Sequence, residues 1–166
     1  MSAVRIRRMA GADLDRVVAI ADSLGTAPQW SRLAYVDAIV IDGTPRRIAL
    51  IAEIDALVVG FLVASVVAPQ AELESIAVAG EAQGRGLGTA LLEALIAELR
   101  LAGAGELELE VRESNRAAAA FYARAGFREV GRRRGYYREP VEDAVLLRLA
   151  LEGCPSGAKA PLIFLD

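Results

Sequence analysis

The 166-residue sequence predicts a single α/β domain of about six or seven strands and about four helices. Three observations predict it. Apolar residues switch repeatedly between a period of two and a helical period. The breaks between those segments fall on Gly, Pro, Asp and Asn. The composition, 54% hydrophobic and 25% charged without an interior low-complexity linker, suits one buried core.

Val4 to Arg8 alternates apolar and basic residues and reads as a short strand with one wet face. Asp13 stands where an N-cap would, and Leu14, Val17, Val18, Ala21 and Leu24 recur at helical spacing up to Gly25, a left-handed cap. Thr26 to Trp30 reads as loop. Ser31 caps a second, shorter helix to about Val40, broken by Asp42, Gly43, Thr44 and Pro45. Arg47 to Ile54 and Leu57 to Val67 flank Asp55-Ala56 as an antiparallel hairpin, and Pro69 interrupts the pattern before Glu72 to Val78 resumes it. Leu87, Leu91, Leu92, Leu95, Ile96 and Leu99 mark an amphipathic helix that ends at Gly103. Glu106 to Val111 alternates acid and aliphatic as a strand, Asn115 to Ala125 is a helix stopped by Gly126, and Phe127 to about Arg133 and Ala144 to Ala150 are two further strands. The domain is expected over residues 1–151. Residues 152–166, rich in Cys, Pro, Ser, Gly and Ala and then apolar from Leu162 to Leu165, read as a tail.

A net charge of −3 provides no field for phosphate backbones, so no nucleic-acid partner is expected, and the run Arg132-Arg133-Arg134 reads as a solvated strand end. The one cysteine, Cys154, excludes an intrachain disulfide, and MSAVRIRRM lacks an apolar stretch behind its charges; the expected compartment is the cytoplasm. The longest apolar run, Ala56 to Val67, is too short to cross a bilayer as a helix, so no membrane partner is expected. Histidine is absent, which removes the commonest general base and the commonest metal ligand; serine-histidine triads and zinc hydrolases are excluded and no metal is expected. Cys154 has no histidine to activate it as a nucleophile.

The most informative segment is Gln83-Gly84-Arg85-Gly86-Leu87-Gly88-Thr89, between a strand that ends near Val78 and a helix that begins near Gly86. Glycines leave successive N–H groups uncovered, and the helix adds its positive end at the same place, so the turn suits a pyrophosphate. The alternative is a turn that only lets helix and sheet pack closely. Neither GxGxxG nor the Walker pattern matches, because Thr89 stands where a glycine would be and no Gly-Lys pair is present.

The spacing of Val78, Gln83, Gly86 and Gly88, followed by Glu110-Val111-Arg112, Ser114-Asn115, Phe121-Tyr122 and Gly126-Phe127, resembles the core of the GNAT N-acetyltransferase family. Arg134-Gly135-Tyr136-Tyr137 and Glu142-Asp143-Ala144 resemble the C-terminal signature of its protein N-terminal acetyltransferase branch, which includes bacterial enzymes acting on ribosomal-protein alanine. The resemblance spans roughly Glu72 to Ala150; ahead of it, Pro28, Trp30 and Ser31 loosely echo a Pro-Trp-Ser element, with Gln29 interposed. It implies a mixed, mostly antiparallel central sheet flanked by helices, acetyl-coenzyme A as acyl donor, and direct attack by an amine in a ternary complex. The implied acceptor is the N-terminus of a protein or peptide such as a ribosomal protein, with the enzyme a monomer or homodimer. Small-amine acetylation and non-catalytic acyl-coenzyme A sensing are the competing functions.

The resemblance also implies roles. Gln83, Gly84, Arg85, Gly86, Leu87, Gly88 and Thr89 would hold the diphosphate, and Asn115 would contact the same cofactor. A bulge in the strand Glu72–Val78 would turn backbone groups of Ile76, Ala77 and Val78 to the pantetheine and thioester; a plain central strand is the alternative, since no glycine marks a bulge. Glu110 would be the general base, against a reading in which Glu106, Glu108 and Glu110 form one solvated strand face. Glu74, on the neighbouring strand, would bind the acceptor ammonium or replace Glu110. Tyr122 would protonate the leaving thiolate, against a tyrosine packed on Phe127 with its hydroxyl satisfied elsewhere. Trp30, Tyr136 and Tyr137 would contact the acceptor, with ordinary aromatic packing as the alternative for the tyrosines.

Overall fold

The computed structural model describes residues 2–25 and 30–151; the loop residues 26–29 and the expected tail, with Cys154 and residues 162–165, lie outside the described residues. The strands are β1 (Val4–Arg8), β2 (Arg46–Ile54), β3 (Leu57–Val67), β4 (Gln70–Val78), β5 (Glu106–Arg112), β6 (Arg128–Tyr137) and β7 (Glu142–Ala150). The helices are α1 (Leu14–Ser23), α2 (Arg32–Ala38), α3 (Leu87–Leu101) and α4 (Arg116–Arg124).

Local chemistry sets the ends of these elements. Asp55 and Ala56 both have positive φ, 51° and 65°, the geometry that matches a two-residue hairpin turn to the twist of β2 and β3. Ser31 Oγ accepts the Ala34 N–H at 3.2 Å and caps α2 as expected. Gly103 and Gly126 take left-handed φ after α3 and α4, so that Ala104 N–H reaches Leu99 O and Phe127 N–H reaches Tyr122 O. One expectation holds in position only and another fails. Asp13 is the N-cap residue of α1 but makes no side-chain cap there; its carboxylate accepts the Ala10 N–H and both guanidinium nitrogens of Arg7, each contact at 2.8 Å, because a buried carboxylate is better neutralised by arginine than by one amide. Gly25 is not left-handed, since α1 has already ended at Ser23, whose hydroxyl donates to Ile20 O at 2.7 Å.

The strands form one sheet in the order β1-β2-β3-β4-β5-β7-β6, antiparallel throughout except for the parallel pair β4 and β5. That parallel pair is brief. Register holds at Gln70↔Glu106, Ala71↔Leu107 and Glu72↔Glu108 and then stops, so the rest of β4 and of β5 diverge and leave a wedge in the middle of the sheet. A bulge lies beside the wedge. Val63 pairs with Ser75 and Ala64 with Leu73, which leaves Glu74 as the extra residue of β4 without any glycine.

Hydrophobic side chains cover both faces. One cluster packs α3 and α4 on Ile48, Leu50, Leu62, Leu73, Leu107 and Leu109. The other packs α1 and α2 on Ala49, Ile51, Phe61, Val63 and Ala77. The period-two alternation of β2 to β5 thus feeds both layers. Beyond α2 the second face of the sheet is open, and there the alternate positions of β5 are glutamates instead of aliphatics. Among the described residues no helix is long and apolar enough to cross a membrane.

Candidate active site

The glycine-rich turn sits where β4 gives way to α3. Gly84 and Gly86 take φ of 77° and 78°, and a Cβ added at either meets nothing within 4 Å, so these glycines serve backbone conformation and not tight packing. Gly88 differs, since its Cβ would meet the Phe121 ring at 3.3 Å, a contact that seats α4 against the start of α3. Among the described residues, the N–H groups of Gly84, Arg85, Gly86, Leu87, Gly88 and Thr89 have no protein acceptor, and they gather at the positive end of a 15-residue helix. The Leu87 side chain is buried in the core, so only its backbone faces outward. Gln83 Nε2 donates to Val78 O at 3.0 Å and folds the turn back on β4.

Backbone alternation decides which groups of β4 face the wedge. Ala79 N–H donates to Val59 O of the β3 side at 2.8 Å. By period two, Ala77 also turns its backbone to β3, whereas Ile76 and Val78 turn theirs into the wedge. Ala77 additionally buries its methyl, so it is the one of these three residues without a group toward the wedge.

Tyr122 lies on α4, 7% exposed, with its ring edge-on to Phe121 at 5.2 Å and to Phe127 at 5.3 Å. The packing alternative holds in that respect. Its second half does not: no described residue hydrogen-bonds the hydroxyl, and burial alone shifts it. Burial pushes the phenol up to about 12. Asn115 caps α4 by accepting the Ala118 N–H at 3.2 Å, which occupies its carbonyl and leaves its amide nitrogen.

Glu110 occupies the opposite face from Tyr122. Leu109 and Val111 join Tyr122 in the α3/α4 core, so alternation sends Glu110 to the open face, and the two residues flank the wedge from its two sides. Glu106 and Glu108 pair with Arg148, at 3.5 and 2.5 Å, and form a solvated edge. Glu110 is set apart from them: its side chain is 19% exposed, Arg133 Nε lies 3.2 Å from Oε1, and the nearby carboxylate holds the Tyr136 phenol above its ordinary range. Glu74 is tied to Arg47, whose Nε reaches its two oxygens at 3.1 and 3.3 Å.

The hairpin of β6 and β7 supplies the remaining wall. Arg134, Gly135 and Tyr136 loop out of register opposite Asp143, whose carboxylate accepts the Gly135 N–H at 2.9 Å. Tyr136 stays about half exposed, with Arg133 5.6 Å from its ring centre. Tyr137 lies under Arg112 at 4.1 Å, and Arg112 in turn pairs with Glu142, so its ring is fixed by packing. Trp30 is half-buried and leans on Tyr35, 5.3 Å away, as part of the aromatic contacts beneath α2.

Three participants escaped the sequence reading. Glu72 stands beside Glu108 across the parallel seam, and its carboxyl is pushed above the usual carboxylate range by partial burial, then by Glu74 and Glu110, with Arg133 opposing. Arg47 and Arg133 hold Glu74 and Glu110. The recoverable signal was the matched period of two in Glu72-Leu73-Glu74 and Glu108-Leu109-Glu110, which puts carboxylates in facing rows once those strands are neighbours. Arg132 and Arg133 stay solvated on β6, as expected, but each also has acidic partners: Arg133 contacts Glu110, and Arg132 contacts Glu113 and Glu129. Among the described residues no His, Cys, Asp and Glu grouping has metal-binding geometry.

Comparison with known proteins adds independent findings. The model of the acetyltransferase (GNAT) family matches residues 17–127. The [ribosomal protein bS18]-alanine N-acetyltransferase of Escherichia coli is 46% identical over 93 residues, which is 55% of this chain and 63% of that protein; the match thus spans less than two thirds of that relative. A Bacillus subtilis protein provisionally given the same activity is 30% identical over 142 residues, 86% of this chain and 92% of its own. The crystal structure of the ribosomal-protein-S18-alanine N-acetyltransferase from Escherichia coli superposes with a TM-score of 0.79 at 32% identity, covering 95% of this chain and 99% of that one.

Proposed function

Because the chain belongs to the acetyltransferase (GNAT) family, we propose that it moves the acetyl group of acetyl-coenzyme A to the N-terminal α-amine of a protein, with a ribosomal-protein alanine as the leading acceptor. The observation that carries the reading is the wedge between β4 and β5. It has open backbone N–H groups at its mouth, a carboxylate on one face and an unpartnered phenol on the other.

The residues present fit such a donor. The N–H groups of Gly84 to Thr89 cradle the diphosphate at the head of α3, and the wedge-facing backbone of Ile76 and Val78 pairs with the pantetheine amides as a missing strand would. When bound, acetyl-coenzyme A supplies the acetyl group as an activated thioester.

Glu110 takes one proton from the acceptor ammonium, directly or through a water. A peptide α-amine has an ordinary pKa of about 7.7 to 8.0, so this step costs little at neutral pH. The freed nitrogen attacks the thioester carbonyl carbon while wedge-facing N–H groups of β4 hold the carbonyl oxygen, one such donor being worth about 3 kcal/mol of barrier. The C–S bond breaks as the C–N bond is completed, and the second proton shed by the nitrogen ends on sulfur. Tyr122 stands on the sulfur side. With its phenol at about 12 against about 8.5 for a thiol, outright transfer to the thiolate is uphill by about 5 kcal/mol, so Tyr122 acts by donating a hydrogen bond and keeping its proton. Tyr136 and Tyr137 line the acceptor's path, and Glu72 and Glu74 receive its ammonium before deprotonation.

The test is thiol release from acetyl-coenzyme A with peptides that begin with Ala, Ser or Met, run beside polyamines, amino acids and aminoglycosides, with calorimetry for cofactor binding. Turnover on the Ala peptide is the expected result. Turnover on small amines alone would overturn the acceptor assignment, and absence of heat with coenzyme A would overturn the whole reading.

A further inference from the structure

Glu110 faces a crowded field, and most of its charges are already matched. Glu74 on β4 is held by Arg47 of β2, Glu108 on β5 by Arg148 of β7, and Glu142 of β7 by Arg112 of β5. Tyr136 and Tyr137, at the end of β6, are phenols held above their ordinary range, Tyr136 first by the neighbouring Glu110 carboxylate and Tyr137 first by burial. What remains is one cation facing two carboxylates: Arg133 pairs with Glu110 and also opposes the upward shift at Glu72.

Arg133 is well placed to act on whatever binds Glu110. Its Nε is 3.2 Å from Oε1, and its side chain comes from the edge strand β6. An ammonium hydrogen-bonded to the same carboxylate at about 3 Å would lie roughly 6 Å from that guanidinium. A fixed cation at this range disfavours the ammonium and leaves the neutral amine untouched.

From this geometry we infer that Arg133 is a charge-tuning residue that acidifies the bound acceptor ammonium and so raises the fraction present as nucleophile. The inference rests on the amine-acetylation reading, with Glu110 as the group that meets the amine. Glu72 works in the opposite sense, attracting the ammonium into the site. The two together separate docking from activation: a carboxylate draws the cation in, and a guanidinium behind the base drives its proton off.

The size of the effect follows from Coulomb's law. With an effective dielectric of about 40 to 80 for a half-exposed side chain, 332/(εr) at about 6 Å corresponds to roughly a half to one pH unit on the amine. Near pH 7 that is a three- to tenfold change in the neutral fraction, in about 50 mM salt where screening is modest.

Two measurements test it. The first is the pH dependence of kcat with a saturating Ala peptide, from about pH 6 to about pH 9, for the wild type, Arg133→Gln and Arg133→Lys. The second is a direct titration of a peptide labelled with nitrogen-15 at its α-amine, bound beside coenzyme A in the non-reacting ternary complex. Arg133→Gln is expected to move the acid limb of kcat and the nitrogen midpoint upward together by about a half to one unit. Arg133→Lys, which keeps the charge, is expected to leave both near the wild-type position. A purely structural role would lower kcat equally at every pH. An unmoved nitrogen midpoint in Arg133→Gln overturns the inference, as does an equal shift in Arg133→Lys. Glu110→Gln keeps the two readings distinguishable: unchanged kcat in that variant removes Glu110 as the base, while a midpoint shift in Arg133→Gln still places the amine in the field of Arg133.

Discussion

Removing the hydroxyl of Tyr122 separates chemistry from packing more cleanly than any other single change in this fold. In Tyr122→Phe the ring stays edge-on to Phe121 and Phe127, and the lost group is a hydroxyl with no protein partner among the described residues. No intramolecular hydrogen bond is broken, so stability should change by less than about 0.5 kcal/mol. Turnover should respond strongly. Loss of one donor aimed at developing charge costs about 3 to 4 kcal/mol, which lowers kcat by roughly 100- to 1,000-fold. Coenzyme A affinity should stay near wild type, because the hydrogen bond strengthens only as the C–S bond opens. The assays are a thermal melt, calorimetry with coenzyme A and a steady-state thiol-release series at several pH values. Wild-type rates should show no limb attributable to this phenol below its pKa of about 12. A variant with unchanged kcat would refute the assignment of Tyr122, and an equal loss of stability and rate would show that it acts only as core.

Other perturbations have defined outcomes. Gly88→Ala drives a methyl to 3.3 Å from the Phe121 ring; α4 and Tyr122 should shift with it, lowering kcat while the fold persists by circular dichroism. Asp13→Asn should cost about 2 kcal/mol at pH 6 in a urea melt, since it breaks the charged bonds to Arg7. The pH sign follows from the carboxyl being held below its ordinary 3.8, chiefly by the Arg7 hydrogen bonds: its stabilisation is complete above that value and is lost as pH falls through the folded value, so the gap between the wild type and Asp13→Asn should narrow progressively as the medium is acidified below 3.8. Truncation after Leu151 should leave the melting temperature unchanged, because Leu151 is buried and its N–H donates to Gly105 O at 2.9 Å. A fall of several degrees would extend the domain into residues 152–166.

Much of the fold was legible because alternation and helical spacing are local. Leu87 to Leu99 declares α3, and Gly103 and Gly126 end their helices by a left-handed turn that other residues enter at a cost. The glycines of the turn before α3 were equally readable, since uncovered N–H groups need no distant partner. What escaped depends on neighbours that sequence does not order. Nothing in Phe127 to Ala150 says that β7 inserts between β5 and β6, and that insertion is what brings the Tyr136 end of the hairpin and Arg133 to Glu110. The bulge at Glu74 carries no glycine because it arises from a register conflict between β3 and β4. Asp13 misled for a related reason: a capping pattern and an ion-pair partner look alike until Arg7 is placed beside it.

The brevity of the β4 and β5 pairing has a mechanical consequence. Continuity between the four-stranded and three-stranded halves of the sheet depends on a seam at Gln70 to Glu72, where the facing pair is Glu72 and Glu108, two like charges that repel. Past that seam each half presents an unzipped backbone edge to the other. A ligand that satisfies both edges joins the halves as an eighth strand would, so cofactor binding should slow amide exchange at Ile76, Val78 and Glu110 and raise the unfolding temperature of the whole domain in proportion to the logarithm of its concentration.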